Sequence, residues 1–271
     1  KHKVNILHLT ERLVSQYAAI VQSEIPAGKM DLSDLLIKYP MKSVADFEQF
    51  ICKLNPLSPR LYTIASSPAA HPDEVHVVVA KDMYHINQRK RFGLCSSFLG
   101  DLKINQEQSF FIQPNKRFRL PADDKDIIMV GPGTGIAAFR SFLAEREASG
   151  ATGRNWLFFG EQHFATDFLY QTELQNWFDT GLLTKINLAF SRDQQQKIYV
   201  QHKMQEHGAE LYEWLQGGGY FFICGKKDPM SIDVEKALIG IIEKFGNKSN
   251  EEAVQYLHNL EESGRYEKDV Y

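Results

Sequence analysis

Apolar and polar positions change rhythm twice along the chain. From residue 1 to about 55 the apolar residues recur at helical spacing, as at Leu9, Leu13, Tyr17 and Ile20, with interruptions around Pro26 and Pro40. From 56 to 122 short β-type runs take over: Arg60 to Ala65, Val75 to Ala80 and Ser109 to Gln113, bounded by Pro56, Pro59, Pro68, Pro72 and Pro114. From 123 onward, short continuous apolar runs alternate with helical stretches. The runs are Ile127–Val130, Trp156–Phe159, Ile186–Phe190 and Tyr220–Cys224, with helices expected near 136–148, 170–178, 197–216 and 229–245. Ser249 and Glu252 form a capping box for one more helix that ends before Gly264. Three regions follow: a helical segment (1–55), a small antiparallel β-barrel or sandwich (56–122), and a doubly wound α/β domain with a parallel sheet covered on both faces (123–271).

Composition narrows the function without choosing it. Apolar residues make up 43% and charged residues 24%, which is too apolar for a disordered chain. The formal net charge of -3 gives no reason to expect nucleic acid or an anionic membrane as a partner. No apolar run approaches the roughly 18 residues that span a bilayer. The cysteines, Cys52, Cys95 and Cys224, are odd in number and far apart, which predicts neither a disulfide framework nor a metal site and favours a reducing, cytoplasmic setting.

The first chemistry lies where Ile127-Ile128-Met129-Val130 runs into Gly131-Pro132-Gly133-Thr134-Gly135 and a helix follows. Glycines let the backbone turn tightly and approach a pyrophosphate, and the helix offers free N–H groups at its positive end. Strand, glycine turn and helix in that order predict a dinucleotide site at Gly133, Thr134 and Gly135. Two features bear on which dinucleotide. Glu161, at the end of the next strand, suits a ribose 2′-hydroxyl. Ser191, Arg192, Lys197 and Tyr199, after the third strand, suit a 2′-phosphate and a stacked adenine. Charge favours NADP.

The second chemistry is in Arg60-Leu61-Tyr62-Thr63-Ile64-Ala65-Ser66-Ser67-Pro68. Period-two alternation would put Arg60, Tyr62 and Ile64 on one face of a strand and Thr63 on the other. This run resembles the Arg-x-Tyr-Ser/Thr-hydrophobic-Ala-Ser-Ser motif of the ferredoxin–NADP reductase superfamily, and the chain is similar to the reductase half of its diflavin enzymes. The same order is kept by Gly93-Leu94-Cys95-Ser96-Ser97-Phe98, Phe118-Arg119-Leu120-Pro121, the glycine turn, Phe190-Ser191-Arg192-Asp193, Cys224-Gly225 and the closing Asp269-Val270-Tyr271. That closing run, with tyrosine rather than tryptophan, tilts the likeness toward the sulfite-reducing branch.

The resemblance implies FAD and NADP as cofactors and NADPH-dependent reduction of the flavin. Arg60 would pair with the FAD pyrophosphate, Tyr62 would lie on the isoalloxazine and the Thr63 hydroxyl near flavin N5. The Gly93–Ser97 turn, with Cys95 and Ser96, would hold the pyrophosphate from the other side. Cys224 and Asp269 would border the hydride path, and Tyr271 would cover the flavin face that nicotinamide must reach. Electrons would leave for an FMN-binding flavodoxin domain or a hemoprotein. In three places the chain departs from the family. It has no counterpart of the FMN domain or of the first barrel strands, so an incomplete barrel and a longer parent polypeptide are expected. Lys226-Lys227 stands where Asp-Ala is usual, and Glu161 is acidic where the family is not. A flavin-free NADP dehydrogenase and a non-catalytic partner-binding domain remain as alternatives.

Overall fold

The computed structural model describes residues 4–7, 9–26, 28, 30–86 and 89–271, with the side chain of Ile86 also left aside. Contacts divide the chain into two compact units, Lys1–Arg60 and Leu61–Tyr271. In the first unit, α1 (Glu11–Val21), α2 (Leu32–Lys38) and α3 (Val44–Ile51) each begin with a side-chain oxygen cap, from Thr10, Asp31 and Ser43. Their apolar faces meet at Tyr17, Leu35 and Phe50, all fully buried. The Tyr17 ring lies edge-on to Phe50, and its hydroxyl donates to the Tyr39 carbonyl at 2.7 Å.

The second unit begins with little regular structure. Its elements are a hairpin of β1 (Met83–Ile86) and β2 (Arg89–Phe92), then α4 (Leu94–Gly100). The runs expected as strands at Arg60–Ala65, Val75–Ala80 and Ser109–Gln113 are not strands. One bridge between Ile64 and Val77 is their only ladder contact among the described residues. Buried serines organise this stretch instead. The Ser66 hydroxyl donates to the Glu74 carbonyl and accepts from the His76 amide, each at 3.1 Å. Ser67 caps the next turn at Ala69 and Ala70 and donates to Glu145. Among the described residues the 56–122 region therefore carries a two-stranded antiparallel sheet, less than the incomplete barrel its sequence predicts.

From Ile127 the predicted α/β order is present. The strands are β3 (Ile127–Val130), β4 (Asn155–Glu161), β5 (Lys185–Phe190), β6 (Tyr220–Gly225) and β7 (Tyr266–Val270). They form one parallel sheet in the order β5-β4-β3-β6-β7. The helices are α5 (Ile136–Ser149), α6 (Phe164–Asp167), α7 (Gln171–Asp179), α8 (Val200–Glu206), α9 (Gly208–Gln216), α10 (Ile232–Gly246) and α11 (Asn250–Glu262). The helical stretch expected at 197–216 is two helices, because the chain turns at His207 before Gly208. Alternate strand residues feed two cores. Ile128, Val130, Trp156, Phe158, Phe221 and Ile223 face one side, and Ile127, Met129, Leu157, Phe159, Phe222 and Cys224 face the other. Phe118 joins the second core against Phe139, Phe142 and Phe222, which gives its motif a packing role.

One buried cation ties the 61–80 segment to this domain. Arg140 on α5 is 7% exposed and clasps Glu173 on α7 with two bonds of 2.6 and 2.9 Å. Its remaining terminal nitrogen donates to the Ala65 carbonyl at 2.8 Å and to His76 Nδ1 at 2.9 Å. Guanidinium cannot accept, so His76 Nδ1 is bare and its proton sits on Nε2, which meets Glu74 at 2.6 Å. The Glu173 carboxylate holds the Arg140 guanidinium above its ordinary value. Arg140→Ala should lower the unfolding free energy by about 3 kcal/mol, measured by urea denaturation, because it leaves Glu173, Ala65 and His76 without their donor. Amide exchange at Ala65 should accelerate in the same variant.

Candidate functional site

The end of β3 and the start of α5 form the strand, glycine turn and helix that the sequence predicts. Gly133 has φ +60, a conformation costly for other residues. At Gly135 an added Cβ would drive into the Cys224 carbonyl oxygen, so the turn lies directly on the end of β6. Neither the short 3₁₀ turn Gly133–Gly135 nor α5 has a side-chain cap. Tight backbone, missing Cβ and uncapped N-terminus fit a pyrophosphate.

Neighbouring strand ends supply the remaining nucleotide candidates. Ser191 is buried after β5 and bonds to the Glu161 carbonyl through both its amide and its hydroxyl. Arg192 and Lys197 are exposed and make no ion pair among the described residues. Tyr199 is 42% exposed before α8, its ring tilted against His202. Glu161 turns one carboxylate oxygen to the Gln162 amide at 2.8 Å and leans the other toward Gly133. Asp193 serves the loops: it accepts from the Phe164 amide at 2.7 Å and meets His163 at 2.8 Å.

A second cluster forms where β6 and β7 run side by side. Cys224 and Asp269 are register partners, which brings the thiol within 3.9 Å of the carboxylate. The Thr63 hydroxyl, 206 residues away in sequence, donates to the same Asp269 oxygen at 3.0 Å. The other Asp269 oxygen faces the Asn115 amide at 3.5 Å. Asn115 was not foreseen, because its turn offers no periodic signal. Burial, then the Asp269 charge, push the Cys224 thiol up to about 12, so it is a neutral S–H at physiological pH. Tyr271 adds two backbone bonds, its amide to the Gly225 carbonyl at 3.1 Å and its carbonyl from the Lys227 amide at 2.8 Å. Its phenol hydroxyl bonds to the Thr134 hydroxyl inside the glycine turn.

The flavin-side candidates lie in other parts of the chain. Arg60 is exposed at the end of the first unit, and Tyr62 is half-buried at the start of the second. The Gly93–Ser97 segment starts α4, whose N-terminus at Gly93 has no side-chain cap. An added Cβ at Gly93 would press on Ser96 Oγ at 2.7 Å. Ser96 is committed to the fold, accepting from the Asp82 amide and donating to the Gly93 carbonyl. Ser97 Oγ is buried with no partner among the described residues, and Cys95 is half-buried. Ser97 lines a cleft of about 380 Å³ with Lys81, Phe92, Gly93, Leu94 and Asp101. Lys81 and the exposed Phe92 ring suit a phosphate with a flat ring beside it, which would compete with the Asp101 carboxylate, 4.0 Å from Lys81, for the ammonium.

The family described as FAD binding domain matches residues 9–98, and the Oxidoreductase NAD-binding domain family matches residues 129–236. The chain carries ferredoxin–NADP-reductase-like FAD-binding and NAD-binding domains. It is homologous to sulfite reductase [NADPH] flavoprotein alpha-components. Identity is 50% over 243 residues with that of Bacillus subtilis (strain 168), covering 89% of this chain and 40% of the relative. It is 46% over 275 residues with that of Cronobacter sakazakii, covering 97% of this chain and 46% of the relative. With that of Shewanella sp. (strain MR-4) it is 47% over 242 residues, 88% of this chain and 40% of the relative. The chain thus spans less than half the length of these curated relatives. No described helix is long and apolar enough to cross a membrane.

The reductase-like pair of domains makes a thiol prediction. Asp269→Asn removes a negative neighbour and should lower the Cys224 value, so that Cys224 labels faster with a disulfide reagent at pH 9 than in the wild type. Unfolding should follow pH as well. From the ordinary thiol value of 9.0 up to about 12 the unfolded chain loses this proton and the native chain keeps it, so stability falls as pH rises through that window. Asp269→Asn should shrink that alkaline loss.

Proposed function

We propose that the chain is the FAD- and NADPH-binding module of an NADPH-dependent oxidoreductase of the sulfite reductase flavoprotein type. The observation that carries this reading is the meeting of Thr63, Cys224 and Asp269 beside the glycine turn. A hydroxyl, a neutral thiol and a carboxylate converge at the C-terminal ends of parallel strands, where ligands bind in such sheets. Bound FAD supplies a ring that takes two electrons and a proton as hydride from nicotinamide and releases electrons onward. Thr63 fixes the Asp269 carboxylate, whose negative charge favours the cationic nicotinamide formed as hydride departs. The S–H of Cys224 fills the floor of the nicotinamide position without adding charge.

Around that centre, Gly133, Thr134 and Gly135 hold the coenzyme pyrophosphate. Ser191, Arg192, Lys197 and Tyr199 hold the 2′-phosphate and adenine. Arg60, Tyr62, Gly93, Cys95, Ser96 and Ser97 hold FAD, and Tyr271 covers the nicotinamide position. In domain terms, 1–55 is the connecting segment, 56–122 the FAD barrel and 123–271 the NADP domain. Support for a barrel completed by other strands comes from Ser109–Gln113, whose Phe110, Phe111 and Ile112 are 70%, 59% and 60% exposed. No backbone hydrogen bond engages that run among the described residues. The electron acceptor is an FMN-binding flavodoxin domain or a hemoprotein in the cytoplasm, serving sulfite reduction.

The chain incubated with FAD should retain flavin absorbance after gel filtration and reduce ferricyanide with NADPH. A colourless chain that still binds NADP⁺ would leave the flavin-free dehydrogenase instead. Arg192→Ala should weaken NADPH by about 2 kcal/mol, some thirtyfold, and leave NADH nearly unchanged in kcat/KM. Equal losses for both coenzymes would shift the ribose contact to Glu161.

A further inference from the structure

The glycine turn is electrically lopsided. None of Gly131, Pro132, Gly133, Thr134 and Gly135 carries a charge, so the turn offers an anion only backbone N–H groups and the partial positive end of α5. Its two neighbours in the sheet carry charges of opposite sign, since β3 and its turn lie between β4 and β6. Strand β4 ends on Glu161, and an added Cβ at Gly133 would lie 3.3 Å from Glu161 Oε1. Strand β6 ends on Gly225, whose own added Cβ would meet the Pro132 carbonyl oxygen at 3.4 Å and the Gly135 Cα at 3.8 Å. The next two residues are Lys226 and Lys227, both exposed. Neither makes an ion pair among the described residues, although Asp228 follows them and Asp233 stands in the first turn of α10. A bond from the Lys227 amide to the Tyr271 carbonyl holds this backbone in place and leaves both ammonium groups uncommitted.

We propose that Lys226 and Lys227 are the counter-charge for the coenzyme diphosphate on this turn, and that they offset the repulsion from Glu161 on its other side. Two of the positions at which the chain departs from its family's usual residues then compensate each other across one ligand. The inference rests on the NADP reading of the turn and adds two binding residues to it. The lysines act on the diphosphate and not on the 2′-phosphate. Ser191 and Arg192 follow β5, which β4 and β3 separate from β6. Three strand spacings of about 4.8 Å exceed the reach of exposed charges in physiological salt, about 8 Å.

Calorimetric titration of the full chain tests this with two ligands, NADP⁺ and adenosine 2′-phosphate, which has no diphosphate. Lys226→Ala combined with Lys227→Ala should weaken NADP⁺ about tenfold and leave adenosine 2′-phosphate unchanged. Lys226→Arg combined with Lys227→Arg, which keeps both charges, should bind both ligands as the wild type does. Glu161→Gln should tighten NADP⁺ about two- to threefold. The assignment is overturned if the double alanine variant binds NADP⁺ as the wild type does. It is equally overturned if adenosine 2′-phosphate weakens by the same factor, because the lysines would then act as a general field. Weaker NADP⁺ binding by Glu161→Gln would make that carboxylate a ribose partner and remove the offset. Binding of neither ligand by the wild type would overturn the nucleotide reading itself, and this assignment with it, whereas adenosine 2′-phosphate binding that persists in every variant keeps the two failures apart.

Discussion

A guanidinium sealed from water needs acceptors for its protons, and Arg140 makes four hydrogen bonds to two segments of the chain. Glu173 neutralises it from α7, the Tyr170 ring lies 4.8 Å beneath it, and Ala65 and His76 accept from the irregular segment. The backbone around Ala65 lacks the ladder that would make it a strand, so this cation stands in for neighbouring strands. Ser141 adds a bond from the same helix to the Ser66 carbonyl at 2.8 Å. Thr63, two residues before Ala65, reaches Asp269 because its own segment is clamped to α5. The polar centre of the proposed hydride site is thus held by an arginine that touches none of its members.

Backbone proximity is the second constraint. The glycine turn, the end of β6 and Tyr271 are stacked closely enough that Gly135 tolerates no side chain against the Cys224 carbonyl. A coenzyme on the turn would therefore lie within reach of Cys224 on β6, the thiol proposed to border the hydride path.

The parallel sheet was legible because its central strands are unbroken apolar runs, and Ile127–Val130 is buried at every position. Strand β7 was not, because Tyr266-Glu267-Lys268-Asp269-Val270 is mostly polar and only an edge position accommodates it. The hairpin through Arg89, Lys90 and Arg91 was hidden by its charge, and its lysine side chain lies over Phe92 instead of in a core. Arg60–Ala65, Val75–Ala80 and Ser109–Gln113 have strand composition without strand partners, which periodicity alone cannot detect. Thr63, Cys224 and Asp269 were singled out through family likeness, and no local pattern joins residues so far apart. Arg140 and Asn115 gave no signal at all: an arginine in an amphipathic helix reads as a solvated charge until its burial is known.

Asp269 sits on a strand with a neighbour on one side only, since β7 closes the sheet's margin next to β6. A border strand frays more readily than an interior one. Each opening would withdraw the carboxylate from Thr63 and the thiol and free the phenol at the same moment. The proposed hydride site is consequently tied to the zipping and unzipping of five residues at the sheet's rim.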